Sequence, residues 1–349
     1  MLNSRIFPMT HRDEETALRL LPPPEKAHSK HDERYGLLPI LVLEKAPNLV
    51  QFMKVLMNAK SLITLHPPSQ NTTTSVGPFY AFYPSTQSDE IQKWIEEKAP
   101  SIMKDTNFIV FEPVEDTVSK RQLMLSVALW SRVEKLAVKA LILDQASVLC
   151  GNPTMPILGF IHYDWIGAAW KWAMEPSSPH HRGGNGAFSI RSPKHLLVLL
   201  QTQSPPQGPP NEDMWFVRRL GEWEKQGDIR NGVDPPHLAS YSLQTEFAVE
   251  EIPSPGHITP VAVYYLMHAM AFNDRESILY RCPEAKTLFP SLHEPKCSVL
   301  RCAKNMSIDV FAWMKMEREN RIDKCVDTCD ILYHPVAAAN WTRPTELSG

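Results

Sequence analysis

Glycine is scarce in this 349-residue chain, with 14 glycines against 31 prolines. Proline turns a corner but supplies neither a positive φ nor a close backbone approach, so the places where glycine is used carry information. No uninterrupted apolar stretch reaches the roughly 18 residues of a membrane-spanning helix, and no transmembrane segment is expected. Residues 1–34 hold no apolar run of the kind that opens a secretory signal. Basic residues do not dominate: 36 Lys and Arg face 39 Asp and Glu, a net charge of −3 with no dense Lys/Arg run. That balance argues against nucleic acid as a partner. Six cysteines do not make a disulfide scaffold in a chain this long. The spacings Cys297/Cys302 and Cys325/Cys329 are not those of a zinc ribbon.

The familiar catalytic loops are missing too. There is no G-x-x-x-x-G-K-S/T phosphate loop, no G-x-S-x-G elbow, no H-E-x-x-H pair and no G-x-G-x-x-G turn after a strand. His162, His180 and His181 with Asp164 match no standard metal spacing.

What is present reads as one α/β domain over residues 35–290, behind a polar, disordered lead-in (1–34) and before a C-terminal helical extension and tail (291–349). Residues 37–43 form an apolar run suited to a buried strand. Asn48 caps a helix through Lys60 with Leu49, Phe52, Met53 and Leu56 on one face. Residues 61–65 read as a strand, 67–75 as a polar loop and 79–83 as a strand. Ser88 and Asp89 open a helix carrying Ile91, Trp94 and Ile95, and residues 107–111 form the next strand. A longer helix is expected from Ser119 to Val138, burying Leu123, Val127, Trp130 and Val133. Residues 140–144 then form a strand that ends on Asp144. Strands alternating with helices imply a mostly parallel sheet flanked by helices, with ligands beyond the carboxyl ends of the strands.

Six of the glycines (Gly151, Gly159, Gly167, Gly183, Gly184 and Gly186) fall within 36 residues. They neighbour Asp164, a strand at residues 187–190, and Glu212-Asp213 in the first turn of a helix behind Asn211. Two readings stand side by side. Glycines beside carboxylates suit a ligand pocket, yet glycines also make tight turns. Carboxylates in a helix first turn are favoured by the dipole with no catalytic duty. An enzyme moving a sugar from a nucleotide diphosphate needs charge neutralisation, close backbone approach and a base for the attacking hydroxyl, and these residue types can supply all three.

The segments 120–130, 141–150, Tyr163-Asp-Trp-Ile-Gly-Ala-Ala-Trp170, Gly184-Asn-Gly-Ala-Phe-Ser-Ile-Arg-Ser192, Asn211-Glu-Asp213, Phe247-Ala-Val-Glu250 and Cys282-Pro-Glu284 occur in this order. Together they resemble the domain of unknown function 5672 family over roughly residues 37–290. That family is similar to glycosyltransferases of the GT-A (Rossmann-like) fold. The resemblance implies a transferase that takes a nucleotide-sugar donor and a glycan or other hydroxyl acceptor. Gly184, Asn185, Gly186 and Ser189 would line the sugar site with Trp165 and Arg191. Glu212 or Asp213 would be the catalytic carboxylate, and Asp164 would stand at the pocket edge. A divalent cation (Mn or Mg) would rest on Asp144 and His257, with His268 a competitor for the latter. One position departs from the family: Ala146 stands where an aspartate is usual, and alanine cannot ligate a cation. An impaired relative that binds a glycan or a protein partner is therefore the alternative, and a purely structural domain the third reading. The resemblance also implies the Golgi or secretory lumen, with a Cys150–Cys282 disulfide as its sign. In that setting the Asn-x-Ser/Thr triplets at Asn71, Asn305 and Asn340 would matter.

Overall fold

The computed structural model describes residues 34–65, 75–98, 108–115, 117, 119–264 and 272–285. The expected lead-in, most of the 67–75 loop, His268 and the C-terminal extension lie outside the described residues.

β1 (Tyr35–Val42) is buried along nearly its whole length, and its side chains alternate between two cores. Leu37, Leu41 and Leu43 pack with α1 (Leu49–Leu65) and α2 (Ser88–Lys98) on one face. Leu38, Ile40 and Val42 pack on the other with α3 (Lys120–Met124) and α4 (Val127–Leu136). A two-residue side-chain period splits a continuous apolar run this way, and both faces of the sheet are covered.

Two helix readings are corrected. Residues 61–65 continue α1 rather than forming a strand. Leu62 extends the buried stripe of Phe52, Val55, Leu56 and Ala59 at helical spacing, which a five-residue apolar run cannot reveal on its own. The helix expected over 119–138 is two helices. Ser119 caps the first through Gln122 N (3.2 Å), and Ser126 restarts the second through Leu129 N (3.1 Å). A serine hydroxyl that accepts from the third amide onward marks a new N-terminus, so Val127 lies on the opening turn and is 40% exposed. The following strand, β4 (Ala137–Ile142), takes Val138 from the expected helix and stops two residues short of Asp144.

β2 (Phe79–Pro84) and β3 (Ile109–Val114) complete the parallel part. β6 (Trp165–Gly167) and β7 (Ser189–Arg191) extend it, giving the order β3-β2-β1-β4-β7-β6. β7 pairs antiparallel with both β4 and β6, so the sheet is mixed rather than mostly parallel at this end. No α-helix lies between β4 and β7, the element that usually carries a parallel crossover. A second sheet, β5-β9-β8, is built from Ser147–Leu149, Ala262–Tyr264 and Ala248–Val249. It packs on α8 (Phe272–Arg281) in a small separate core, where Cys150 and Cys282 form a disulfide.

α5 (Pro193–Thr202) and α6 (Glu212–Gln226) cover the second face of the main sheet. α7 (Tyr241–Phe247) leads into β8. β1 lies between β2 and β4, so the chain order reverses there, and the carboxyl ends of β1 and β4 flank the crevice where open sheets of this kind take ligands.

Candidate functional site

The turn at residues 183–186 sits against the end of β6. Gly183 and Gly184 have φ of +97° and +83°, which side-chain-bearing residues rarely adopt. Gly167 N donates to Gly183 O (2.7 Å), and Asn185 N donates to Ala168 O (2.7 Å). A Cβ on Gly167 would stand 1.7 Å from the Asn185 carbonyl oxygen. These glycines therefore serve a close backbone-to-backbone contact inside the protein.

That contact presents Gly186 to Arg191 and Asp213. Arg191, on β7, is fully buried, its guanidinium 4.1 Å above the Trp165 ring. Its Nη2 donates to Gly186 O (2.8 Å), and its Nε donates to Ser189 Oγ (2.9 Å). Ser189 Oγ in turn donates to Gly186 O (2.9 Å), and Trp165 Nε1 to Gly184 O (3.0 Å). Arg191 Nη1 has no hydrogen-bond partner among the described residues. Burial lowers the guanidinium to about 10, against the pull of Glu212 and Asp213, so it is still charged at neutral pH.

The acidic pair divides its labour. Asp213 Oδ2 accepts from Gly186 N (3.0 Å) and fastens α6 to the glycine turn, while its Oδ1 accepts from Met214 N (2.8 Å) within α6 itself. Glu212 keeps a partly exposed carboxylate 3.7 Å from Arg191 Nη2. Burial and then Asp213 push Glu212 above the usual carboxylate range, while Arg191 and Lys120 oppose them. Asn211 starts the helix without a side-chain cap, contrary to the capping role expected for it.

Glu250, at the end of β8, completes the group and had been given no role on sequence grounds. It is 3% exposed. Asn185 Nδ2 donates to its Oε1 (3.1 Å), and its Oε2 has no partner among the described residues. Burial first, then Glu251 and Asp213, raise it to about 8. Its signal in the sequence was an apolar run closing on a carboxylate, the pattern that singled out Asp144.

Residues 105–262 match the family model described as protein of unknown function (DUF5672). The match supports that family, and it contains every group from Lys120 to Glu250 named above. No curated protein and no solved structure matches the chain.

Within the matched segment the remaining sequence candidates separate. Asp144 follows β4 at the crevice, where Lys120 Nζ donates to its Oδ2 (2.9 Å) and Ala146 N to its Oδ1 (3.0 Å). His257 is exposed in the loop before β9. Among the described residues no group of His, Cys, Asp or Glu is arranged to hold a metal ion. With Ala146 beside it and an ammonium on its outer oxygen, Asp144 does not fit a divalent-cation site. Asp164 is not brought to the glycine turn. It precedes β6 at the amino end of the parallel strands and carries Lys139 on Oδ1, with His237 N on Oδ2 (2.8 Å). His195 Nδ1 lies 3.3 Å from the same Oδ1. Burial would raise Asp164, but Lys139 and His195 outweigh it and hold the carboxylate low. Its engagements are internal, those of a structural anchor. A further feature went unread in the sequence. Trp170 and Trp172 stack at 5.2 Å, with His180 edge-on to Trp172 at 5.1 Å. Trp172 is 53% exposed, and His180 hydrogen-bonds the backbone of Met214, next to Asp213.

Proposed function

We propose that the protein is a glycosyltransferase that moves a sugar from a nucleotide-diphosphate donor to a hydroxyl acceptor at the β1/β4 crevice. The observation that carries this reading is a pair of buried polar atoms without partners among the described residues, Arg191 Nη1 and Glu250 Oε2, in one electrostatically linked group with Asp213. Folded proteins rarely leave such atoms unsatisfied, and those that are left need a ligand or another explanation. A cation beside Glu250, raised to about 8, and Glu212, pushed above the usual carboxylate range, suits a polyhydroxylated, anionic substrate and acid–base work.

In this reading Glu212 is the base. The acceptor oxygen forms a bond to the anomeric carbon as its proton passes to the Glu212 carboxylate. The bond from that carbon to the diphosphate oxygen breaks, and the diphosphate leaves with the electron pair. Arg191 holds the field that keeps Glu212 available as an anion. Glu250, protonated at neutral pH, offers an Oε2–H donor to a sugar hydroxyl. Asp213 positions the turn. No step is routed through a divalent cation, because Asp144 and Ala146 do not fit one.

The test is a turnover screen across nucleotide sugars on the full chain, with Glu212→Gln alongside. Glu212→Gln should lower turnover by about 100-fold or more, in keeping with loss of a general base. It should leave nucleoside-diphosphate affinity nearly unchanged. A second reading, a pocket that binds a glycan without chemistry, draws on the internal engagement of both Asp213 oxygens. Glycan binding without nucleotide binding would favour it and overturn the transferase.

A further inference from the structure

We infer that Lys120 takes the place of a divalent cation, so that the diphosphate of the donor is held by the chain alone. This rests on the transferase reading. A nucleoside diphosphate brings two to three negative charges into the crevice, and something must neutralise them. Asp144 is already engaged: its Oδ1 accepts from Ala146 N at 3.0 Å, its Oδ2 accepts from Lys120 Nζ at 2.9 Å, and Ala146 offers no second oxygen for a cation. The ammonium stands in the position, relative to Asp144, that a metal ion would need.

The charge of Lys120 also acts on Glu212 in the first turn of α6. Of the neighbouring cations, Arg191 is fully buried with its Nη2 on Gly186 O, and only its Nη1 lacks a partner among the described residues. Arg121 donates to the carbonyls of Pro206, Gln207, Gly208 and Pro210 and pins that loop. The Lys120 side chain is 43% exposed. An ion pair so wet is weak, and a phosphate group bearing more charge can draw the ammonium off Asp144.

The experiment is calorimetric titration of the full chain with uridine diphosphate and guanosine diphosphate, in excess EDTA and again in millimolar Mn2+. Binding by the wild type should be equal in the two buffers within about twofold, and Lys120→Ala should weaken it by about tenfold or more. Lys120→Arg should retain most of the affinity. Ala146→Asp should make affinity rise with Mn2+, since it supplies the missing oxygen ligand beside Asp144. Wild-type binding that requires Mn2+, or that is indifferent to Lys120→Ala, overturns the inference while leaving the transferase standing. Binding of neither nucleotide in either buffer overturns both. Thermal melts confirm that each variant is folded.

Discussion

Glu250 occupies a place where ionisation is costly: 3% exposed, with Glu251 and Asp213 nearby, it is raised to about 8. An acid whose folded pKa exceeds its unfolded one binds more protons when folded, so stability falls as pH rises. The window runs from the unfolded value of 4.5 to about 8. The loss should be on the order of 5 kcal/mol across it, given about 1.4 kcal/mol per pH unit. Glu250→Gln keeps an acceptor for Asn185 and removes the titration. The variant should match the wild type near pH 5, exceed it at pH 8.5, and flatten the intervening slope in urea denaturation series; parallel slopes would mean that Glu250 is not held neutral. The glycines make a second residue-scale prediction. Gly167→Ala drives a methyl against the Asn185 carbonyl and should cost about 3 kcal/mol or more. Gly208→Ala meets nothing within 4 Å and should change stability by about 0.5 kcal/mol or less. Equal denaturation midpoints for the two variants would contradict the close contact at β6.

At the scale of elements, reading depended on how far each signal extended along the chain. The buried strands β1 and β2 were legible because each is a continuous apolar run, and α6 because its acidic first turn and apolar face agree. Residues 61–65 failed as a strand because their period shows only when joined to Phe52, Val55 and Ala59. Leu62→Ala should therefore cost about 2–4 kcal/mol, as loss of a buried leucine in a helix seam does, whereas exposed Met57→Ala should be nearly silent. Paired chemical denaturation of the two variants checks this. Ser126 was legible in kind, as a capping residue, but a cap inside a periodic stretch is outvoted by the stretch. The reversal at β7 was not legible, since antiparallel pairing of three-residue strands depends on contacts far apart in sequence. The candidate site divides the same way. Glu212-Asp213 and the glycine turn announced themselves locally, while Glu250 reaches Asn185 across 65 positions and Lys120 reaches Asp144 across 24. Neither pair leaves a local pattern.

At the scale of the whole molecule, the second sheet ties the candidate site to the disulfide. Cys150 follows β5, Cys282 follows α8, and both share a core with Val249, the residue before Glu250. The bridge spans 132 positions in sequence. Closing a loop of this size restricts the unfolded chain by about 4–5 kcal/mol in the entropic account, although measured values more often fall near 2–4. Such bonds persist in oxidising compartments, which accords with the secretory lumen that the resemblance implies. Mass spectrometry of unreduced, alkylated protein should recover the peptides of Cys150 and Cys282 as one cross-linked species. Recovery of both as free thiols would remove this support for a lumenal protein. The mechanical consequence is sharper than the compartment. β8 is only two residues long and is held by β9 alone in its sheet, so the small core on Cys150–Cys282 is what keeps Val249, and with it Glu250, in place. Replacing both cysteines by serine should therefore lower stability by a few kcal/mol. It should also weaken the pH dependence that Glu250 contributes between 4.5 and 8, because a loosened β8 admits water to the carboxyl. A double variant that loses stability equally at pH 5 and pH 8.5 would show that the disulfide acts on the unfolded chain only, and that the site does not lean on it.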